Sequence, residues 1–156
     1  MRRKLSAGKY SASGLAGVWA DENTREAIFD AIRRKETFGT SGPRIKARMF
    51  AGYGFEQAML SDPDLVSAAY RTGVSQGSEL VGTQQAPSIL AWAIRDPASY
   101  PLQRLQIIKV WTDAQGKAHE AVYDAACSGG AKPDADTHRC PENGANVDIS
   151  DCSTEP

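Results

Sequence analysis

The 156-residue sequence predicts an α+β fold, and three observations carry that reading. A capped amphipathic helix stands near the start. Short alternating or continuously apolar runs fill the middle. A tail after Cys127 is rich in Gly, Asp, Asn and Pro and nearly devoid of apolar residues. The order is helix, then antiparallel β region, then a cysteine-bearing loop.

Within residues 1–20 only Leu15, Val18 and Trp19 read as buried, and no period is visible. Asn23 then offers a helix cap with Glu26 three residues on, the pattern of a capping box. Ala27, Ile28, Ala31 and Ile32 form one helical stripe, and Arg33, Arg34 and Lys35 complement the dipole of the last turn. A helix is expected over Thr24–Lys35. The Gly42-Pro43 step punctuates the chain, and Arg44–Phe50 alternates basic and apolar residues as a strand with one wet face. Asp62-Pro63-Asp64-Leu65 starts a second, short helix that Gly73 stops, and residues 73–87 read as loop. Ile89–Ile94, Arg104–Trp111 and Lys117–Tyr123 are strands, the last two joined as a hairpin through Thr112–Gly116.

Composition removes whole classes of function. Apolar residues make up 41% and charged residues 24% of the chain, the balance of a globular protein. No run approaches the roughly 18 apolar residues of a membrane span. The basic start, Met1 to Lys9, leads into no apolar segment, so no signal peptide is read there. A net charge of -1 excludes a nucleic-acid partner on bulk electrostatics. The charge is nonetheless segregated, from +6 over residues 1–50 to -3 over 51–125 and -4 over 126–156. Cys127, Cys140 and Cys152 all fall in the last thirty residues, a clustering that suits a disulfide-bearing extracytoplasmic loop.

Few residues carry chemistry. Cys127, His138, Cys140 and Cys152 match no zinc spacing, because zinc ligands arrive in close pairs. Asp134-Ala135-Asp136 resembles the start of a calcium loop but lacks its later Gly and Glu. His119 reads as an exposed strand histidine. No Gly-x-Ser-x-Gly elbow occurs, and no catalytic or metal-ligating residue is assigned. Thr40, Ser41 and Gly42, followed by Arg44, could offer hydroxyls, amides and a guanidinium to an anion. The same residues also suit a plain chain reversal. Trp92, Tyr100, Trp111 and Tyr123 could line a sugar-binding surface or fill a core.

The block Asn23-Thr24-Arg25-Glu26-Ala27-Ile28-Phe29-Asp30-Ala31-Ile32-Arg33-Arg34-Lys35-Glu36-Thr37-Phe38-Gly39-Thr40-Ser41-Gly42-Pro43-Arg44, with Gly14 to Glu22 before it, resembles a signature of a bacterial family catalogued as domain of unknown function 3604. That family is similar to the polymerase-and-histidinol-phosphatase (PHP) superfamily of metal-dependent phosphoesterases. The likeness continues through Gly73-Val74, Ala86-Pro87, Leu102 to Lys109, Val122-Tyr123-Asp124 and His138 to Gly144. Where the family tends to read Gly-Val-Pro-Met-Gly, this chain has Gly73-Val74-Ser75-Gln76-Gly77.

The resemblance implies that residues 1–42 are the terminal helix and strand of a PHP-like α/β barrel. Residues 43–126 would be a β-rich, sandwich-like accessory region with one short helix, and 127–156 a truncated cysteine loop. The barrel's Asp-x-His metal motifs do not occur here, so the chain is expected to be an inactive C-terminal fragment of a metal-dependent hydrolase. It would hold no cofactor itself, the divalent metal belonging to an extracytoplasmic parent. The alternative is a non-catalytic module that recognises carbohydrate or protein. A lone barrel helix–strand pair would expose Val18, Trp19, Ile28 and Ile32 and favour a homo-oligomer. In the family a further cysteine follows and is the natural partner of Cys127, which implies a Cys140–Cys152 disulfide and a free Cys127.

Overall fold

A computed structural model describes residues 14–144, 146–151 and 153–155. The chain divides into two compact units, Met1–Asp96 and Pro97–Pro156.

The first unit begins with strand β1 (Ala16–Val18), helix α1 (Arg25–Arg33) and strand β2 (Thr37–Gly39). The helix starts one residue later than its sequence suggests. Thr24, not Asn23, is the cap, and its hydroxyl accepts from the Ala27 amide at 3.3 Å. At the other end Lys35 takes a left-handed conformation (φ 61°), and the Lys35 and Glu36 amides donate back to Ile32 and Ala31. This turn sends the chain straight into β2, which pairs antiparallel with β1 and sets Gly17 opposite Phe38. A Cβ on Gly17 would run into the Phe38 ring, so glycine lets the ring lie across β1 without shifting.

A barrel places successive strands parallel, whereas β1–β2 is a short antiparallel ribbon and no closed barrel forms among the described residues. The fold is mixed α+β with antiparallel sheets. The expected exposed patch is correspondingly only partial. Ile32 is open to solvent, but Val18, Trp19 and Ile28 are half-buried. Trp19 packs on Phe38 at 5.6 Å, and its indole N–H donates to the Ala47 carbonyl. Leu15, expected inside, is exposed.

Strand β3 (Lys46–Gly52) forms the centre of a three-stranded sheet, with β4 (Gly73–Ser75) on one side and β5 (Ser88–Ile94) on the other, all antiparallel. Residues 73–75, expected as loop, are thus a strand. They alternate too briefly to be read locally and are recruited by β3. Helix α2 (Leu65–Thr72), with Asp64 at its N-terminal boundary, lays Ala68 and Ala69 against the sheet. Phe50 is fully buried between Ala69 and Leu90, edge-on to Tyr70 at 5.0 Å and stacked on Trp92 at 5.9 Å. Trp92 is therefore partly buried against the core.

The second unit is built on a hairpin of β6 (Arg104–Thr112) and β7 (Ala118–Cys127), followed by the small ribbon β8 (Asn146–Val147) with β9 (Thr154–Glu155). Asp113 organises the hairpin turn. Its carboxylate accepts from the Gln115 and Lys117 amides and meets His119 Nε2 at 2.7 Å, which holds its pKa below the usual aspartate value, the histidine contact contributing most. An isolated two-stranded hairpin is marginal in water, so this unit needs additional ties. The loop after β7 supplies them.

The cysteine pairing differs from the expectation. Cys127 and Cys140 form a disulfide with Cα atoms 5.6 Å apart, so Cys140 is not bonded to Cys152, which lies outside the described residues. The cause is a buried carboxylate. Asp124 on β7 is fully enclosed and accepts from the Cys140 amide at 2.7 Å and from Gln106 Nε2 at 2.6 Å, while its own amide donates to the His138 carbonyl. These bonds draw the returning loop along β7 and seat Cys140 beside Cys127. Arg104 and Arg139 approach the same carboxylate at 3.4 and 3.7 Å.

Non-reducing peptide mapping is expected to recover Cys127 linked to Cys140; a Cys140–Cys152 peptide would contradict the pairing. Closing a loop of this length stabilises a chain by about 3 kcal/mol, so Cys140→Ser should lose roughly that amount in urea unfolding of a Trp19→Phe/Trp92→Phe background, where Trp111 is the sole tryptophan fluorophore.

Acid should release the same clamp. The Cys140 amide first, then Gln106 and Arg104, hold the Asp124 pKa below its ordinary value. A depressed pKa stabilises the fold above the unfolded value and loses that contribution as pH falls through the folded one. Wild type should therefore exceed Asp124→Asn in stability at pH 7. The gap should close as pH drops below the ordinary aspartate range near 4. A gap that stays constant from pH 6 to pH 2 would contradict this.

Candidate functional site

The best-formed polar site of the first unit centres on Glu36, which sits in the turn between α1 and β2. Its carboxyl is buried, with only 6% of the side chain exposed. Three elements deliver donors to it. From α2, the Tyr70 hydroxyl donates to Oε2 at 2.6 Å. From β4, the Ser75 hydroxyl donates to Oε1 at 2.9 Å, and from the end of α1 Arg34 Nε reaches the same oxygen at 3.4 Å. Backbone bonds fix the residue as well. Its amide donates to Ala31, and its carbonyl accepts from the Trp19 amide. A buried carboxyl tolerates its loss of water only when donors replace it, and here Tyr70, Ser75 and Arg34 supply them.

Behind Tyr70 stands Arg48 of β3. Its guanidinium donates to the Tyr70 hydroxyl at 2.8 Å and lies over the rings of Trp19, Phe50 and Tyr70, 4.6–5.4 Å from their centroids. The strand pattern offered Arg48 as one of three solvated cations; the aromatic cage instead half-buries it. Burial, reinforced by the Glu36 hydrogen bond, raises the Tyr70 pKa above its ordinary value of 10.0. The hydroxyl therefore stays protonated at neutral pH, accepting from Arg48 while donating to Glu36.

An open cleft of about 490 Å³ adjoins this network, walled by Asp21, Arg34, Glu36, Tyr70, Ser75 and Ser78. It can hold a small polar ligand against hydroxyls, two carboxyls and a guanidinium. Ser75 lies where this chain departs from the Gly-Val-Pro-Met-Gly pattern, as does Gln76. Gln76 donates to the Thr37 carbonyl at 2.6 Å and accepts from the Met49 amide at 2.9 Å, tying β2 to β3. The two departures are thus the residues that fasten this segment to Glu36 and β2. Gly77 follows with φ 84°, packed so closely on Lys35 that a Cβ would collide with it.

The turn expected to hold an anion lies at the far end of β2. Thr40 exchanges bonds with Leu15, its amide donating to the Leu15 carbonyl and its hydroxyl accepting from the Leu15 amide. Ser41, Gly42 and Arg44 are exposed, and the Arg44 amide donates to the Asp96 carboxylate at 2.8 Å. The four residues do stand in one turn, with a carboxylate beside them. Among the described residues no three His, Cys, Asp or Glu side chains are grouped to hold a metal ion.

Sequence reasoning missed Glu36, Tyr70 and Ser75. Glu36 follows three cations at a helix end, and nothing local distinguishes it from a solvated residue. Only the meeting of α2 and β4 over the turn buries it.

Removing one donor from a buried carboxyl costs about 1–3 kcal/mol. Tyr70→Phe should lower unfolding stability by that amount. A loss below about 0.5 kcal/mol would show that the hydroxyl does not sustain the network.

The model of a family described as "Protein of unknown function (DUF3604)" matches residues 2–156. No curated protein and no solved structure matches the chain. Because the matched span is nearly the whole sequence, the chain belongs to the DUF3604 family.

Proposed function

We propose that this chain is a non-metal-binding part of a PHP-like, metal-dependent hydrolase of the phosphoester-cleaving type. In this reading the metal ligands lie on other segments of a longer extracytoplasmic polypeptide. Residues 14–96 contribute a polar cleft that positions substrate, and the β6–β7 unit is accessory. The observation that carries it is the Glu36 carboxyl, buried and held by Tyr70, Ser75 and Arg34 beside an open cleft. Such a pre-set group suits orienting a hydroxyl or amide of a ligand. Membership of the DUF3604 family, whose signature block Asn23–Arg44 is similar in sequence to PHP-type proteins, supports the enzyme class. The Cys127–Cys140 disulfide supports an oxidising location.

A second reading, a module that binds carbohydrate or protein, rests on the second unit. Trp111 and Tyr123 are 39% and 38% exposed on one face of the hairpin, with Trp111 stacked on His119 at 5.4 Å. Cellohexaose that quenches tryptophan fluorescence in the wild type but not in Trp111→Phe would favour it over the first.

The decisive assay uses p-nitrophenyl phosphate with Mn²⁺ or Zn²⁺. The isolated chain should release no p-nitrophenol above the metal blank, and the coding DNA upstream should encode an in-frame Asp-x-His barrel. In that longer protein Glu36→Gln should lower kcat/KM about tenfold, the equivalent of one hydrogen bond. Chelator-sensitive turnover by the isolated chain, or no such upstream frame, would overturn the proposal.

A further inference from the structure

The two edges of the β6–β7 hairpin are treated very differently. Beside β7 runs the returning loop. The Asp124 amide donates to the His138 carbonyl, the Cys140 amide donates to the Asp124 carboxylate, and the Cys127–Cys140 disulfide locks the loop in place. Among the described residues β6 is paired, as a strand, with β7 alone. Exposed strand edges are usually blunted by proline, inward charges or bulges. From Gln106 to Thr112 β6 has no proline and no acidic residue, and its one register shift lies before this stretch, between Leu105 and Gln106. Lys109 is its single charge. Side chains on both faces are apolar and open: Ile108 is 60% exposed, Val110 67% and Trp111 39%. Apolar residues on both faces are the pattern of an interior strand, not of an edge.

We infer that β6 is an interaction edge, and that it pairs antiparallel with β6 of a second copy of this chain. The strand is self-complementary about Ile108. A two-fold axis there sets Ile108 against its own mate, Ile107 against Lys109, Gln106 against Val110, Leu105 against Trp111 and Arg104 against Thr112. No two charges stand opposite each other in that register. Centring the axis one residue later would put Lys109 against Lys109, so charge disfavours that register. Two marginal hairpins become one four-stranded sheet with Ile108 and Val110 clustered at its middle. The axis closes the assembly at a dimer, because each copy offers one such edge and the other is occupied by its own loop. The contact is small, so the dimer is of the weak, concentration-dependent kind.

Sedimentation velocity tests this on the whole chain. The weight-average mass should rise from the monomer value at about 5 µM toward twice that value at about 500 µM. Val110→Lys should abolish the rise while far-UV dichroism and the Cys127–Cys140 linkage stay unchanged. Ile108→Cys should give, under mild oxidation, a dimer whose peptide map contains a 108-to-108 disulfide. A wild-type chain that remains monomeric across the range would overturn the inference. So would a dimer that persists in Val110→Lys, which would place the contact elsewhere, as on the exposed Phe29 and Ile32 of α1.

Discussion

The first unit depends on the burial of one carboxyl. Glu36 leaves water only because α1, α2 and β4 each bring a donor to it, and each element is positioned by the bond it makes. The cost of burying such a group without partners is several kcal/mol, so losing any one of these donors is expensive. Tyr70 shows the coupling most directly. It stands against Phe50 in the apolar core, accepts from Arg48 of the central strand and donates to Glu36. Core packing and the polar cleft are therefore the same structure seen from two sides.

The apolar core around this network is small. Phe50, Ala69 and Leu90 are its buried members, with Phe55, Leu65 and Trp92 packed around them. Aromatic side chains compensate by doing more than one thing. Trp19 covers Phe38, bonds to β3 through its indole and caps the Arg48 guanidinium. A cation held over three rings contributes to cohesion in a way that aliphatic residues could not, because its charge remains solvated by π-faces and a hydroxyl.

The second unit solves the same problem of too little core by other means. Its hairpin buries almost no large side chain, and an enclosed aspartate with a disulfide takes the place of hydrophobic packing. Asp124 recruits donors from β6, from the loop and from two arginines, as Glu36 recruits them in the first unit. Both units thus place a carboxyl where a larger domain would place a leucine. The consequence is directional: specific geometry fixes the loop against β7 and leaves β6 uncovered.

By itself the amino-acid sequence determined the local elements: helix α1 through its apolar stripe and terminal cations, strand β3 through alternation, β5 through a continuous apolar run, and the β6–β7 hairpin through two runs flanking a polar turn. These follow from periodicity and turn chemistry, which act within a few residues. The family, too, was legible, in the block from Asn23 to Arg44. Tertiary structure alone decided the rest. Strands β1, β2 and β4 are three residues long and exist because a neighbour pairs with them. Glu36 and Asp124 look like ordinary surface acids until distant donors enclose them. The disulfide partner of Cys140 was settled by hydrogen bonds to Asp124, sixteen residues away, and not by cysteine spacing. In each case the deciding interaction joins residues that no local pattern connects, because burial and pairing are properties of the assembled chain.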